Sequence, residues 1–249
     1  MYNILMKTMI QAHRGASAYC PENTLKAFSK AVEMKADGVE LDVHLTKDNK
    51  IVVAHDSRLE RVSNGTGHVN DHTLEELKTL DFSKTLPACG VCRAPLLAEV
   101  FSLIKPSGLM VNIELKTTEC LYPELPQMLI ALAKEFAMEE RVLYSSFNHY
   151  SLTQIKTLEP RAKIGLLYDL GMVDPWVYAN YLNADAIHPN YRVIAALPDT
   201  VARCHERGVI VNVWTVDEPD VIKLMLKCGA DGIITNKPDI AVACRDGSM

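Results

Sequence analysis

Apolar residues gather into short, β-branched runs at Met9 to His13, Val39 to His44, Ile51 to His55, Leu109 to Leu115, Val142 to Ser146, Lys163 to Leu167, Ala186 to His188, Val209 to Val216 and Gly232 to Thr235. The runs are near-continuously apolar instead of alternating, as in strands covered on both faces. Helix-period segments separate them. Leu25, Phe28 and Val32 share one helical face behind the start signal Asn23-Thr24, and Val221, Leu224, Met225 and Cys228 do so before Gly229. Met34, Met110 and Met225 lie in such apolar segments and read as core. Strand and helix in alternation predict parallel βα units, with helices over the outer face of the sheet and a barrel core against the inner one.

The runs number nine where a closed barrel takes eight. From His44 to Ile51 the link is far too short for a helical crossover, which takes roughly a dozen residues. Either one run stands outside the barrel or a helix is missing there. Between His55 and Leu109 the chain is longer than one βα connection requires, and it carries Asn64-Gly65-Thr66-Gly67 and a capping box, Thr73 to Glu76. An insertion over residues 57–93 is expected after the third strand, above the strand ends, with 1–249 otherwise a single domain. Ala36-Asp37-Gly38, Ala184-Asp185-Ala186 and Ala230-Asp231-Gly232 echo one another where a helix gives way to a strand, a weak sign of a repeated unit.

Composition adds exclusions. With 249 residues, 48% hydrophobic and 23% charged, the chain is an average globular one, not disordered, collagenous or coiled-coil, and its length suits one α/β barrel. Lys plus Arg is 26 against 31 Asp plus Glu, a net charge of -5, so no global positive field draws nucleic acid or anionic lipid. Any anionic ligand must be held locally. No apolar stretch reaches the roughly 18 residues of a membrane span, so stable membrane insertion is not expected. The apolar start, Met1 to Met6, is broken by Lys7 and Gln11 and lacks a small-residue cleavage site, so it reads as unexported. Seven scattered cysteines favour a reducing cytoplasm over a secreted disulfide framework. Cys89 and Cys92 form a lone C-x-x-C without a second pair, and read as ordinary reduced thiols.

Ionisable residues sit at strand ends, which core packing does not explain. His13-Arg14-Gly15 follows the first run, Glu40 and Asp42 lie in the second, His55-Asp56 follows the third, and Glu114 and Lys116 lie in the fourth. Glu40 and Asp42 are two apart, so they share one strand face while Val39, Leu41 and Val43 take the other. Carboxylates directed into a barrel repel one another and lose solvation unless compensated. Two compensations are open. One is a divalent cation, for which an all-oxygen set suits Mg2+ or Ca2+ better than zinc; the other is a salt-bridge network with Arg14 and Lys116. Beside such a centre His13 and His55 fit a general acid and base for phosphoryl transfer, with Arg14 and Lys116 neutralising phosphate oxygens. Which imidazole is acid depends on the side of phosphorus each occupies. Trp214 reads either as an apolar wall beside the substrate or as core. His44, Asn112, Ser145 and His188 read as supporting, and Asp56 as orienting its neighbour or capping the insertion. His149 and His205 carry no assignment.

In chain order, His13-Arg14-Gly15, Glu22-Asn23-Thr24, Glu40-Leu41-Asp42-Val43, His55-Asp56, Glu114-Leu115-Lys116, Ser146-Phe147, Trp214-Thr215-Val216 and the run from Asp231 to Pro238 resemble the glycerophosphodiester phosphodiesterases. The resemblance extends from Gln11 to about Pro238. It implies a distorted (β/α)8 TIM barrel with a small insertion, one divalent ion (Mg2+ or Ca2+) held by Glu40, Asp42 and Glu114, His13 and His55 as the acid and base pair, and Arg14 and Lys116 on phosphate. The implied reaction is hydrolysis of a small-molecule glycerophosphodiester, such as glycerophosphocholine or glycerophosphoethanolamine, to sn-glycerol 3-phosphate and an alcohol. The glycerol hydroxyl beside the phosphoester offers an internal nucleophile through a cyclic phosphate, and water offers a direct one. The insertion matches less closely, above all around Cys89 and Cys92. Two other readings compete. A lysophospholipase D-like phosphodiesterase would use the same metal and histidines but need an apolar approach for an acyl chain, and no basic amphipathic helix points to a lipid surface. A non-catalytic glycerophosphate-binding barrel shares the fold, but the presence of both histidines and all three carboxylates argues against it.

Overall fold

The computed structural model describes residues 7–249; the apolar opening stretch Met1 to Met6 lies outside the described residues. Each of the nine apolar runs forms a strand. They are β1 (Met9–His13), β2 (Gly38–Leu45), β3 (Ile51–Val53), β4 (Met110–Leu115), β5 (Val142–Ser146), β6 (Lys163–Tyr168), β7 (Ala186–Pro189), β8 (Ile210–Val213) and β9 (Gly232–Thr235). The helices are α1 (Leu25–Glu33), α2 (Leu74–Thr79), α3 (Leu97–Ile104), α4 (Leu125–Glu135), α5 (His149–Leu158), α6 (Pro175–Tyr181), α7 (Tyr191–Ala196), α8 (Asp199–His205), α9 (Pro219–Lys227) and α10 (Pro238–Arg245). Parallel pairing runs β1-β9-β8-β7-β6-β5-β4-β2, and β1 closes the ring on β2. The architecture is a closed eight-stranded parallel TIM barrel with helices between strands.

The ninth strand explains the short link. β3 pairs antiparallel with β2, Val43 opposite Val53 and Leu45 opposite Ile51, so the chain turns back in a hairpin and no crossover helix is missing. The insertion follows β3, the third strand of the chain, which stands outside the barrel ring as an arm on β2, so His55 leaves a hairpin arm. Between β3 and α3 the chain forms α2 and two single-turn 3-10 helices, Val69–Asp71 and Pro87–Cys89. The capping box starts α2: the Thr73 hydroxyl accepts from the Glu76 N–H, and the Glu76 carboxylate accepts from the Thr73 N–H at 2.7 Å. Leu59, Val62, Val69, Leu77 and Phe82 of this segment pack with Val52, Ala54 and Ala94 in a cluster separate from the main core.

β2 shows the period-two logic. Val39, Leu41 and Val43 belong to the main core with Phe28 of α1 and Phe101 of α3, which leaves Glu40, Asp42 and His44 on the face directed into the barrel. The repeated Ala-Asp pairs have a common structural part. Asp37 accepts from the Ile10 N–H at 2.8 Å, Asp185 from Ile164 at 2.9 Å, and Asp231 from Val211 at 2.8 Å. Each Asp precedes a strand and satisfies an N–H at the start of the strand before it; Arg245 and Lys156 balance the charges of Asp37 and Asp185, and His205 Nε2 lies 2.8 Å from Asp231 Oδ2. Two helix faces differ from the periodicity. Leu25 is 38% and Leu224 41% exposed, because α1 buries Ala27, Phe28 and Ala31, and α9 buries Ile222 and Met225. Met110 is not core either; it borders a cavity at the N-terminal mouth of the barrel with Met9 and Gln11.

Candidate active site

The turn after β1 sets the geometry. Arg14 and Gly15 both have left-handed φ, 55° and 79°, and a Cβ on Gly15 would come within 2.6 Å of the Ala27 backbone, so only glycine fits. This turn aims the Arg14 N–H at Glu40 Oε2, 2.9 Å away, and its guanidinium at Glu22 Oε1, also 2.9 Å. Arg14 Nε lies 3.5 Å from Asp42 Oδ2, to which Asn23 Nδ2 donates at 2.8 Å.

Parallel register places Asp42 of β2 opposite Glu114 of β4, and oxygens of Glu40, Asp42 and Glu114 lie within 4.8 Å of one another. Among the described residues this is the one such group of metal-ligating side chains. Burial, then the Asp42 charge, pushes Glu40 well above the usual carboxylate range and Glu114 up to about 7. Asp42 goes the other way. Burial opposes its charge, but His55, Arg14 and Lys116 together hold it below the ordinary range. Both anticipated compensations leave a trace. Lys116 Nζ stands 2.8 Å from Glu114 Oε1 and 3.7 Å from Asp42 Oδ1, so the ion-pair network exists. It is incomplete, since Asp42 Oδ1 is buried without a hydrogen-bond partner.

The two histidines are held alike. His13 Nδ1 lies 2.7 Å from Asn236 Oδ1; Asn236 Nδ2 donates to Asp217 at 2.6 Å, and Asp217 also accepts from the Thr235 hydroxyl and the Asn236 N–H. His55 Nδ1 lies 2.5 Å from Asp56 Oδ1, and its Nε2 is 3.2 Å from Lys116 Nζ. In each ring an acceptor holds the Nδ1 proton and leaves Nε2 with the lone pair. Burial, reinforced by Arg14, lowers His13 to about 4, and burial also lowers His55. Arg61 of the insertion forks across the site: it donates to Asp56 at 2.5 and 3.0 Å and to Glu22 at 2.8 Å through two nitrogens. His44 donates from Nε2 to the His55 carbonyl at 3.1 Å and meets the Tyr122 hydroxyl through Nδ1.

His13, Arg14, Glu40, His55, Glu114 and Trp214 line one cavity of about 80 Å³. His55 also borders a second of about 290 Å³, with Lys116, Asp56, Ser57 and Arg58. Trp214 is no core residue: it is half-buried, faces this cavity, packs edge-on to Phe147 at 5.5 Å, and is pinned by Nε1 donating to the His188 carbonyl at 2.8 Å. Ser145 donates to Asn112 at 2.8 Å beneath the carboxylates. His149 bonds the Leu167 carbonyl and His205 pairs with Asp231, both in structural contacts. Asn236, Asp217 and Arg61 were given no role from the sequence. Asn236 stood inside a matched run; Arg61 and Asp217 showed only as charges in polar stretches.

Residues 13–240, which hold every side chain just described, match the glycerophosphoryl diester phosphodiesterase family. The chain belongs to that family and is an enzyme of the phosphodiesterase class. It is 48% identical over 238 residues to a glycerophosphodiester phosphodiesterase from Caldanaerobacter subterraneus, covering 95% of this chain and 97% of that one. A second, from Bacillus altitudinis, is 39% identical over 241 residues, with 96% and 98% covered. Among solved structures, an Oleispira antarctica phosphodiesterase in complex with the product sn-glycerol-3-phosphate aligns with a TM-score of 0.83 at 26% identity over 96% of each chain. A Thermotoga maritima glycerophosphodiester phosphodiesterase aligns at 0.78 and 28% identity over 94% and 97%.

Proposed function

We propose that the enzyme hydrolyses small, soluble glycerophosphodiesters such as glycerophosphocholine and glycerophosphoethanolamine to sn-glycerol 3-phosphate and the free alcohol. The observation that carries this reading is the meeting of two Nδ1-anchored histidines, two cationic side chains and three buried carboxylates around one cavity. The product bound to the Oleispira antarctica relative supports the glycerol phosphate half of the substrate.

The residues fit a single divalent cation, Mg2+ or Ca2+. The donors are all oxygen, they sit close together, and buried Asp42 Oδ1 lacks a partner. When bound by Glu40, Asp42 and Glu114, the ion would supply Lewis-acid polarisation of a phosphoryl or alcohol oxygen. The chain's own groups do the rest. Arg14 and Lys116 neutralise phosphate oxygens, and Trp214 walls the glycerol. One imidazole Nε2 takes the proton of the attacking hydroxyl, and the other imidazole, protonated, returns one to the leaving oxygen. The attacking group is the substrate's own glycerol hydroxyl, through a cyclic phosphate, or water directly. The segment 57–93 borders the cleft beyond His55 and selects among leaving alcohols. Among the described residues no helix is long and apolar enough to cross a membrane, and seven free cysteines support a cytoplasmic setting.

The test is release of sn-glycerol 3-phosphate from both diesters, measured with a coupled dehydrogenase, with and without a chelator. Metal-dependent release is expected. Release of the alcohol together with a lysophosphatidic acid from lysophospholipids, and none from the soluble diesters, would replace this reading.

A further inference from the structure

The fold brings together cysteines that the sequence keeps apart. Cys20 lies in the loop between β1 and α1, and Cys89 ends the single-turn helix Pro87–Cys89 in the insertion. The Cys89 thiol reaches the backbone beside Cys20. Its Sγ lies 3.6 Å from the carbonyl of Tyr19, the residue before Cys20, and Lys26 of α1 donates to the Cys89 carbonyl at 2.7 Å. Along the chain the C-x-x-C spacing pairs Cys89 with Cys92, but Cys92 is buried, with its N–H held by Asp81 Oδ1 at 3.1 Å. Cys20 is buried as well, whereas Cys89 is half-exposed and open to a small oxidant.

We infer that Cys20 and Cys89 form a reversible disulfide that staples the insertion to the loop carrying Arg14, Glu22 and Asn23. The oxidant is hydrogen peroxide. The Cys89 thiolate attacks one peroxide oxygen, the O–O bond breaks, and water leaves after proton uptake, giving a sulfenic acid; the Cys20 thiol then attacks that sulfur, the S–O bond breaks, and a second water leaves. Two electrons pass from the thiols to the peroxide, and a dithiol returns them. Burial pushes the Cys20 thiol up, and the charges of Lys26 and Lys30 offset only part of that rise. The staple acts where the insertion already touches the site. Glu22, two residues beyond Cys20, accepts from both Arg14 and the insertion's Arg61, so closing the cross-link removes the freedom of the insertion to lift away from that contact.

The full-length reduced enzyme is treated with hydrogen peroxide, alkylated and peptide-mapped, and segment 57–93 is probed by limited proteolysis. The expected result is one linked peptide pair containing Cys20 and Cys89, lost again with dithiothreitol, and cleavage within the segment slowed roughly tenfold while the link is present. Cys20→Ser and Cys89→Ser should each abolish link and protection but keep basal hydrolysis; Cys92→Ser should keep all three. A Cys89–Cys92 link, over-oxidation of Cys89 without a link, or a Cys20–Cys89 link that leaves proteolysis unchanged would each overturn the inference. Should Cys20→Ser fold poorly, Cys89→Ser decides alone.

Discussion

Asn236 Oδ1 lies 2.7 Å from His13 Nδ1 while the Asn236 amide nitrogen donates to Asp217 at 2.6 Å, so the residue just past the last barrel strand sets the tautomer of the imidazole that ends the first. The amide cannot turn over without placing its NH2 against the ring proton, because Asp217 accepts only at the other end. Asn236→Ala removes both the acceptor and the brace. Its kcat should fall roughly 10²-fold, the cost of a misplaced catalytic group, with KM little changed. The 15N shifts of the His13 ring should show tautomer mixing in the variant and a single tautomer in the parent. A variant with full kcat would make the contact merely structural.

Removing the divalent ion should stop turnover while the barrel stays folded. The hydrophobic core surrounds the carboxylates and does not depend on them, whereas transition-state charge stabilisation is lost, a drop of roughly 10³-fold or more. Chelation should therefore leave the far-ultraviolet circular dichroism intact and lower Tm by the binding linkage alone. Asp42→Asn should abolish ion uptake in a titration; activity surviving that substitution would assign the ion elsewhere.

Arg61 ties the insertion to the site through Asp56 and Glu22. It is partly exposed, so solvent screens the pairs and the effect should be moderate. Arg61→Ala should cost roughly 3- to 10-fold in kcat/KM, less than loss of a group touching the reacting atoms, and should alter the ranking of glycerophosphocholine against glycerophosphoethanolamine. An unchanged ranking would remove the insertion from leaving-group choice.

What was legible in the sequence follows physical range. All nine strands showed because two-sided burial writes continuous apolar runs, and Glu40, Asp42 and Glu114 showed because charges inside such runs violate that pattern. The antiparallel turn of β3 was only half legible: the link length excluded a helix, but direction depends on pairing with β2 that no local pattern states. Asn236, Asp217 and Arg61 stayed silent since their parts come from contacts across the fold, 223 residues apart for Asn236 and His13. The Ala-Asp echo was visible as a repeat, yet its cause is a hydrogen bond to the strand before, seen only in three dimensions.

Stability should weaken in mild acid because histidines are buried neutral. Burial lowers His188 to about 3 and His44 to about 4; the ring of His188 lies against Gly165, where any side chain would collide with it. Each folded pKa is below the unfolded value near 6.5, so the unfolded chain binds the extra proton. The stabilisation is complete above pH 6.5 and is lost as pH falls from there toward 4 and then 3, at about 1.4 kcal/mol per pH unit for each histidine. Urea midpoints at pH 7 and pH 5 should show this drop, and His188→Gln should reduce it by the share of that one histidine, leaving that of His44. An equal slope in the variant would place the acid sensitivity in other groups.

The division of labour between His13 and His55 has a decisive test. Both rings present Nε2, and each has its Nδ1 proton held by an acceptor, Asn236 in one case and Asp56 in the other. In-line displacement sets entering and leaving oxygens on opposite sides of phosphorus, so one imidazole does not serve both in a single step. Either His→Ala variant should lose roughly 10² to 10⁴ in kcat with a natural diester, while ion affinity, set by the carboxylates, stays close to the parent's. A nitrophenyl diester changes only the leaving group, whose low pKa makes protonation dispensable. The variant lacking the general acid should recover most of its rate on that substrate, and the variant lacking the base should not. His55, next to the insertion and the larger cavity, stands where a leaving alcohol would exit, so His55→Ala is the variant expected to recover. Recovery of His13→Ala instead would reverse the roles, and equal recovery of both would defeat the two-histidine scheme.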